Sequence, residues 1–131
     1  MRFLVDTNVF LEVLLEQAKA DEARSFLANP NAHDLLISDY AVHSIGLLLL
    51  RRNQADVFRQ FLSDTSDAGV TMASLTLLEM DAVADASVSY SLDFDDAYQY
   101  VTAGKYGLTI VTFDSDFDRT PRGRTTPSQA S

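Results

Sequence analysis

Cysteine is absent from the 131 residues, which excludes a disulfide framework, thiolate zinc sites and cysteine nucleophiles. Basic residues are scarce: 10 Lys plus Arg stand against 19 Asp plus Glu, for a formal charge of −9. Such a balance speaks against a broad cationic face for duplex DNA. It does not speak against a nuclease, because metal-dependent sites are themselves built of carboxylates. The five glycines are scattered, so no Gly-rich loop is available to cradle a nucleoside triphosphate. A nucleophile elbow is missing too, which argues against a serine hydrolase. Long apolar runs are also lacking. The longest, Ile45 to Leu50, falls far short of the ~20 residues that span a bilayer. Near the start, Phe3-Leu4-Val5 is interrupted at once by Asp6 and Asn8, whereas a secretory signal needs an unbroken apolar core of roughly 7–15 residues. The expectation is a cytoplasmic chain without a membrane segment.

What is present suits one globular domain. Apolar residues make up 47% of the chain and charged residues 22%, ordinary values for a folded protein. We expect a single domain over residues 1–120 and a tail over 121–131. Phe3-Leu4-Val5 reads as a buried strand, and Val9, Phe10, Val13, Leu14 and Ala18 recur at helical spacing after it. A second helical stretch passes through Ala23, Phe26 and Leu27 and stops at the turn residues Asn29-Pro30-Asn31. Leu35-Leu36-Ile37 predicts a second strand, with Ser38 or Asp39 available to cap a helix from about Tyr40 to Arg52. The Ile45–Leu50 run makes that helix apolar nearly all round, and burial is expected on every side. A further helix over about 54–63 places Val57, Phe58, Phe61 and Leu62 on one face. Val70-Thr71-Met72 predicts a third strand, and 75–86 a helix offering Leu78, Ala82 and Val83 to the core. Leu92 to Ala97 opens a helix that runs to about Lys105, and Gly107 separates it from the strand Leu108–Thr112. The segment after Phe117 reads as a loop or arm.

Strands alternating with helix pairs predict an α/β fold of three layers, α/β/α, around a central, mostly parallel sheet of four or five strands. In such a sheet, ligands bind beyond the carboxyl ends of the strands, where the strand order reverses. Asp6 directly follows the first strand, Asp114 lies just past the last, and Asp96 falls in the first turn of the helix leading into it. If the first and last strands are neighbours, the three carboxylates meet at one edge and repel unless a cation lies between them. Hard oxygen donors of this kind suit Mg²⁺ or Mn²⁺. Each acid also has a simpler use. Asp6 suits a helix N-cap, Asp96 pairs with Asp93 in a capping arrangement, and Asp114 with Asp116 suits a turn.

At these residues the chain resembles the PIN-domain family, in particular VapC-type toxin ribonucleases of toxin–antitoxin pairs. Phe3-Leu4-Val5-Asp6-Thr7-Asn8 is similar to that family's first strand and Asp-x-Asn signature. Phe94-Asp95-Asp96-Ala97-Tyr98 resembles the segment in which an Asp-Ala pair supplies a metal ligand. Val111-Thr112-Phe113-Asp114-Ser115-Asp116-Phe117 resembles its Thr-x-Asp…Asp-Phe ending. The likeness extends over about residues 2–121. It implies a Mg²⁺- or Mn²⁺-dependent endoribonuclease that hydrolyses RNA phosphodiesters, partnered by a small antitoxin, and leaves a homodimer open. Asp6, Asp96 and Asp114 would be the catalytic and metal-binding acids, Asp116 a candidate fourth ligand, and Asn8 and Thr112 supporting polar residues.

The chain departs from that pattern at one place. Family members usually carry a glutamate early in the helix after the second strand, and here Ser44 occupies its position, beside His43. A serine is a far weaker metal ligand than a carboxylate. The departure keeps a second reading open, a catalytically weak PIN-fold module that binds RNA or protein. A receiver-like phosphorylation domain is a third reading, but the chain lacks an acceptor Asp after a middle strand and a Lys after the last. Six arginines (Arg51, Arg52, Arg59, Arg119, Arg122 and Arg124) offer either an RNA path or solvated helix ends and a soluble tail.

Overall fold

A computed structural model describes residues 2–28 and 34–130. Four short strands, β1 (Arg2–Val5), β2 (Asp34–Ser38), β3 (Thr71–Ala73) and β4 (Thr109–Val111), form one sheet in the order β3-β2-β1-β4. Every pairing is parallel: Leu4 sits opposite Leu36 on one side and Ile110 on the other, and Ile37 sits opposite Met72. The chain thus builds outward from β1 through β2 to β3, then returns to add β4 on the other side of β1.

Period-two alternation assigns the two faces. Phe3, Val5, Ile37 and Val111 enter a core with α1 (Thr7–Leu14), α2 (Ala20–Leu27), α3 (Asp39–Arg51) and α4 (Ala55–Asp67). Leu4, Leu36, Ala73 and Ile110 point the opposite way. They pack with Ala103 of α6 (Phe94–Tyr106) and with Phe117 of a 3-10 turn over Ser115–Arg119. A third cluster around Val83, Ala86, Leu92 and Ala97 joins α5 (Met80–Tyr90) to α6. The result is the three-layer α/β/α arrangement, with an all-parallel sheet of four strands. Among the described residues no helix is long and apolar enough to cross a membrane.

Several local expectations are corrected. The first helix stops at Leu14, short of Ala18, because Glu16 adopts a left-handed backbone at φ 50°. The turn expected at Asn29-Pro30-Asn31 lies outside the described residues. Ser38 caps α3 through Ala41 N–H at 3.0 Å, while the Asp39 carboxylate accepts the Tyr98 hydroxyl at 2.7 Å. The Ile45–Leu50 run is not buried all round: Ile45, Gly46 and Leu49 face inward, but Leu47 and Leu50 are 44% and 57% exposed. The sheet, α1, α4 and α6 cover the rest of α3, and Phe58 of α4 would stand 2.9 Å from a Cβ at Gly46.

The helix expected from residue 75 begins only at Met80. Glu79 turns the preceding segment back on itself by accepting Thr76 N–H and Lys105 Nζ, each at 2.7 Å. Leu77 and Leu78 are left 88% and 90% exposed, so Leu78 does not reach the core, and neither does exposed Ala82. The segment after Phe117 is fastened down and is no free arm. Thr125 N–H donates to Ile110 C=O at 2.9 Å and Thr112 N–H to Thr125 C=O at 3.0 Å. The short helix α7 (Pro127–Ala130) then packs on α2.

Candidate metal centre

The sheet order makes β1 and β4 neighbours at the reversal point, and residues at their carboxyl ends are brought together. Asp6 leaves β1 with its own N–H bonded to Val111 C=O at 2.9 Å. It starts α1 as the N-cap, accepting Thr7 N–H at 2.8 Å. The capping use is therefore real, but it engages only part of the carboxylate. Thr112 Oγ1 donates to Asp6 Oδ2 at 2.8 Å, Gln99 Nε2 donates to Asp6 Oδ1 at 3.0 Å, and Asn8 Nδ2 approaches Oδ2 at 3.4 Å. Asn8 also donates to Thr112 Oγ1 at 2.9 Å and accepts Phe113 N–H at 3.2 Å. The polar pair expected beside the acids thus ties the ends of β1 and β4 into one network.

The acids divide into two levels. Asp6 is buried, 6% exposed, at the base. In front of it, Asp96, Asp114 and Asp116 are half-buried and each offers an oxygen within 4.8 Å of the others. Among the described residues Asp116 therefore belongs to the trio of acids that come this close, whereas Asp6 is buried beside it. Asp114 is placed by its N–H to Thr112 Oγ1 at 3.0 Å and caps the 3-10 turn through Asp116 N–H at 2.8 Å. Asp93 makes no side-chain cap bond to α6, so the capping arrangement considered for Asp96 does not form. Asp96 is left to face the other acids.

Crowding shows in the ionisation. Burial, then the negative charges of Asp114 and Asp6, push the Asp96 carboxyl up to about 7. Asp6 is also raised, chiefly by burial and against the hydrogen bonds from Gln99, Thr112 and Thr7. Carboxylates held this way have excess negative charge that a cation relieves. The donors are all oxygen, which suits a hard dication such as Mg²⁺ or Mn²⁺. The residues present fit such an ion, and Asp96, Asp114 and Asp116 would hold it above Asp6.

Ser44 and His43 do not add to this set as a glutamate would. Ser44 is half-buried on α3 and lies against the Tyr40 hydroxyl, which donates to Asp95 Oδ1 at 2.8 Å. His43 is exposed. Asp39, the nearest other acid on that helix, is taken by Tyr98. The arginines separate by location. Arg119 reaches Asp116 at 3.3 Å, and Arg124 reaches Thr112 C=O at 3.3 Å and Asp118 at 3.1 Å, so both rim the site. Arg51 and Arg52 end α3, whose start is at the site, and a helix of that length carries them about 20 Å away.

Gln99 is the residue that sequence reasoning missed. It lies three positions after Asp96 and hence on the same helix face. It is 2% exposed, a rare burial for glutamine. The spacing was visible; its partner, 93 residues away in sequence, was not.

The structure is thus a parallel α/β/α domain with an acid cluster at the reversal point of its sheet. The PIN domain model matches residues 3–123. The chain belongs to the PIN domain family. Its fold is similar to that of VapC20, a sarcin-ricin-loop-cleaving toxin of Mycobacterium tuberculosis (TM-score 0.77, 19% identity, covering 95% of this chain and 99% of that one). It is also similar to a chain of a toxin–antitoxin complex from Klebsiella pneumoniae (TM-score 0.74, 21% identity, 95% and 97% covered). A third likeness is to VapBC2 of Rickettsia felis bound to promoter DNA (TM-score 0.73, 12% identity, 95% and 97% covered). No curated protein shows a sequence match.

Proposed function

We propose that the chain is a divalent-metal-dependent endoribonuclease acting as the toxin of a toxin–antitoxin pair. The observation that carries this reading is the convergence of Asp96, Asp114 and Asp116 over buried Asp6 at the sheet reversal point of a PIN-family chain. Asp96, Asp114 and Asp116 hold the cation, and Asp6 with Asn8 and Thr112 sets the base on which they stand. Bound Mg²⁺ or Mn²⁺ supplies charge neutralisation at the scissile phosphate and activates water for hydrolysis. Arg119 and Arg124 at the rim meet neighbouring phosphates, which needs only local positive charge in an otherwise acidic chain. Ser44 removes one negative charge from the set that the family usually carries. Because Mg²⁺ keeps several waters and needs only one or two protein carboxylates, the remaining acids support the chemistry at reduced metal affinity.

The proposed antitoxin site is an apolar groove of about 470 Å³ lined by Phe10, Val13, Leu14, Leu27, Val57 and Phe61 of α1, α2 and α4. It lies on the α1–α4 side of the sheet and suits an amphipathic helix presenting apolar anchors. The RNA substrate and the antitoxin are both cytoplasmic in this reading.

RNA cleavage by wild type and Asp6→Ala, with Mn²⁺, with Mg²⁺ and with chelator, is the direct test. Metal-dependent cleavage lost in Asp6→Ala supports the reading. A folded wild type that binds RNA without cutting it under any metal condition favours the binding module, for which Ser44 in place of glutamate is the supporting observation. Expression of the chain alone is expected to inhibit growth, and co-expression of a small neighbouring partner to relieve it.

A further inference from the structure

Gln99 is the least expected polar group in the molecule. It is 2% exposed, yet it is not satisfied: Nε2 donates to Asp6 Oδ1 at 3.0 Å, while buried Oε1 has no hydrogen-bond partner among the described residues. Leaving a buried acceptor unpaired costs stability, and an apolar side chain of the same length avoids that cost. Burying a glutamine here is therefore a poor choice for folding alone. What the residue does provide is one fixed donor on the oxygen of Asp6 that faces α6.

The other bonds to the Asp6 side chain come from residues that directly follow β1 and β4. Thr7 N–H and Asn8 belong to α1, and Thr112 to the end of β4. Among the described residues, Gln99 alone hydrogen-bonds Asp6 to α6, the helix that carries Asp96 one turn earlier. Its amide therefore ties the buried acid to the helix that carries Asp96, although the two negative charges repel one another.

We propose that Gln99 is a positioning residue of the metal centre, holding the Asp6 carboxylate against α6 through its amide. This rests on the metal-site reading above, and it assigns to a neutral side chain a role that no carboxylate in the cluster can fill. Fixing the buried carboxylate behind the ligands fixes the base on which they stand before the cation arrives.

The test is Mn²⁺ binding followed by calorimetry and by the electron paramagnetic resonance signal of free Mn²⁺, without reference to cleavage. Gln99→Met keeps side-chain length and deletes both polar atoms. It is expected to leave the thermal midpoint in chelator no lower than that of wild type and to weaken Mn²⁺ binding about tenfold, the low end for outer-layer partners. The same substitution in an Asp6→Asn background is expected to add little, because the two residues act as a unit. Wild type that binds Mn²⁺ no better than Gln99→Met overturns the role of Gln99 and leaves the metal site standing. Wild type that takes up no Mn²⁺ overturns both. An undiminished effect of Gln99→Met in the Asp6→Asn background shows that Gln99 does not act through Asp6. Gln99→Leu repeats the deletion, and failure of both variants to fold makes Gln99 a structural residue and ends the proposal.

Discussion

Neutralising Asp96 as Asp96→Asn should stabilise the metal-free protein, increasingly so as the pH rises from about 4 to 7. The folded carboxyl titrates near 7 against an ordinary value of 3.8. Between those values the native state holds a proton that the unfolded chain has released, so stability falls as pH rises through this window and is lowest above it. A shift of this size corresponds at face value to about 4 kcal/mol. Asp96 is only half-buried, and solvent screening reduces the recoverable amount to about 1–2 kcal/mol. Asn keeps the shape and carries no charge, so the variant should melt roughly 4–8 °C above wild type at pH 8, given the entropy of unfolding of a domain this size. The difference should shrink steadily below pH 7 and close below about pH 3, where the wild-type carboxyl is protonated in both states. Mn²⁺ should reverse the order. Wild type gains about 2.7 kcal/mol when the free ion stands at a hundred times its dissociation constant, and Asp96→Asn gains less because a ligand is gone. Thermal melts from pH 3 to pH 8, in chelator and in Mn²⁺, measure all of this. Parallel pH profiles for the two proteins in chelator, or a variant less stable than wild type at pH 8, would refute the crowding of acids at this site.

Ser44→Glu should tighten Mn²⁺ binding and raise RNA cleavage at low metal concentration. An unchanged titration with lowered stability would show that position 44 cannot present a carboxylate past Tyr40 to the cluster. His43→Ala should leave Mn²⁺ affinity at the wild-type value in the same titration, because the imidazole is on an exposed face of α3. Gly46→Ala should cost about 1–3 kcal/mol in urea unfolding, since the added methyl meets the Phe58 ring at 2.9 Å and overpacks the α3–α4 contact. Val13→Glu should abolish capture of a cognate antitoxin peptide in fluorescence anisotropy while leaving Mn²⁺ binding intact, because a charge in an apolar groove is left unpaired.

Much of this protein was determined locally. Phe3-Leu4-Val5, Leu35-Leu36-Ile37 and Ile110-Val111 are too short and too apolar for anything but buried parallel strands, and the helix pairs between them leave no other sheet class. Once β1 and β4 are adjacent, Asp6, directly after β1, and Asp114, three residues past the end of β4, come to the same end of the sheet. What sequence could not decide is which face of each element is covered and what lies opposite it. The run Ile45–Leu50 looks uniformly apolar, yet only packing against the sheet and α4 selects Ile45 and Leu49 for burial and leaves Leu50 outside. The start of α5 moved to Met80 because Lys105, 26 residues beyond Glu79, holds the preceding turn. The 3-10 turn after β4 brings Asp116 beside Asp114 and Asp96, an arrangement set by side-chain bonds with no periodic signal. Gln99 sat in plain view one turn past Asp96. Its meaning came only from a carboxylate at the far end of the chain, since periodicity records neighbours along an element and not the contacts made when distant elements pack.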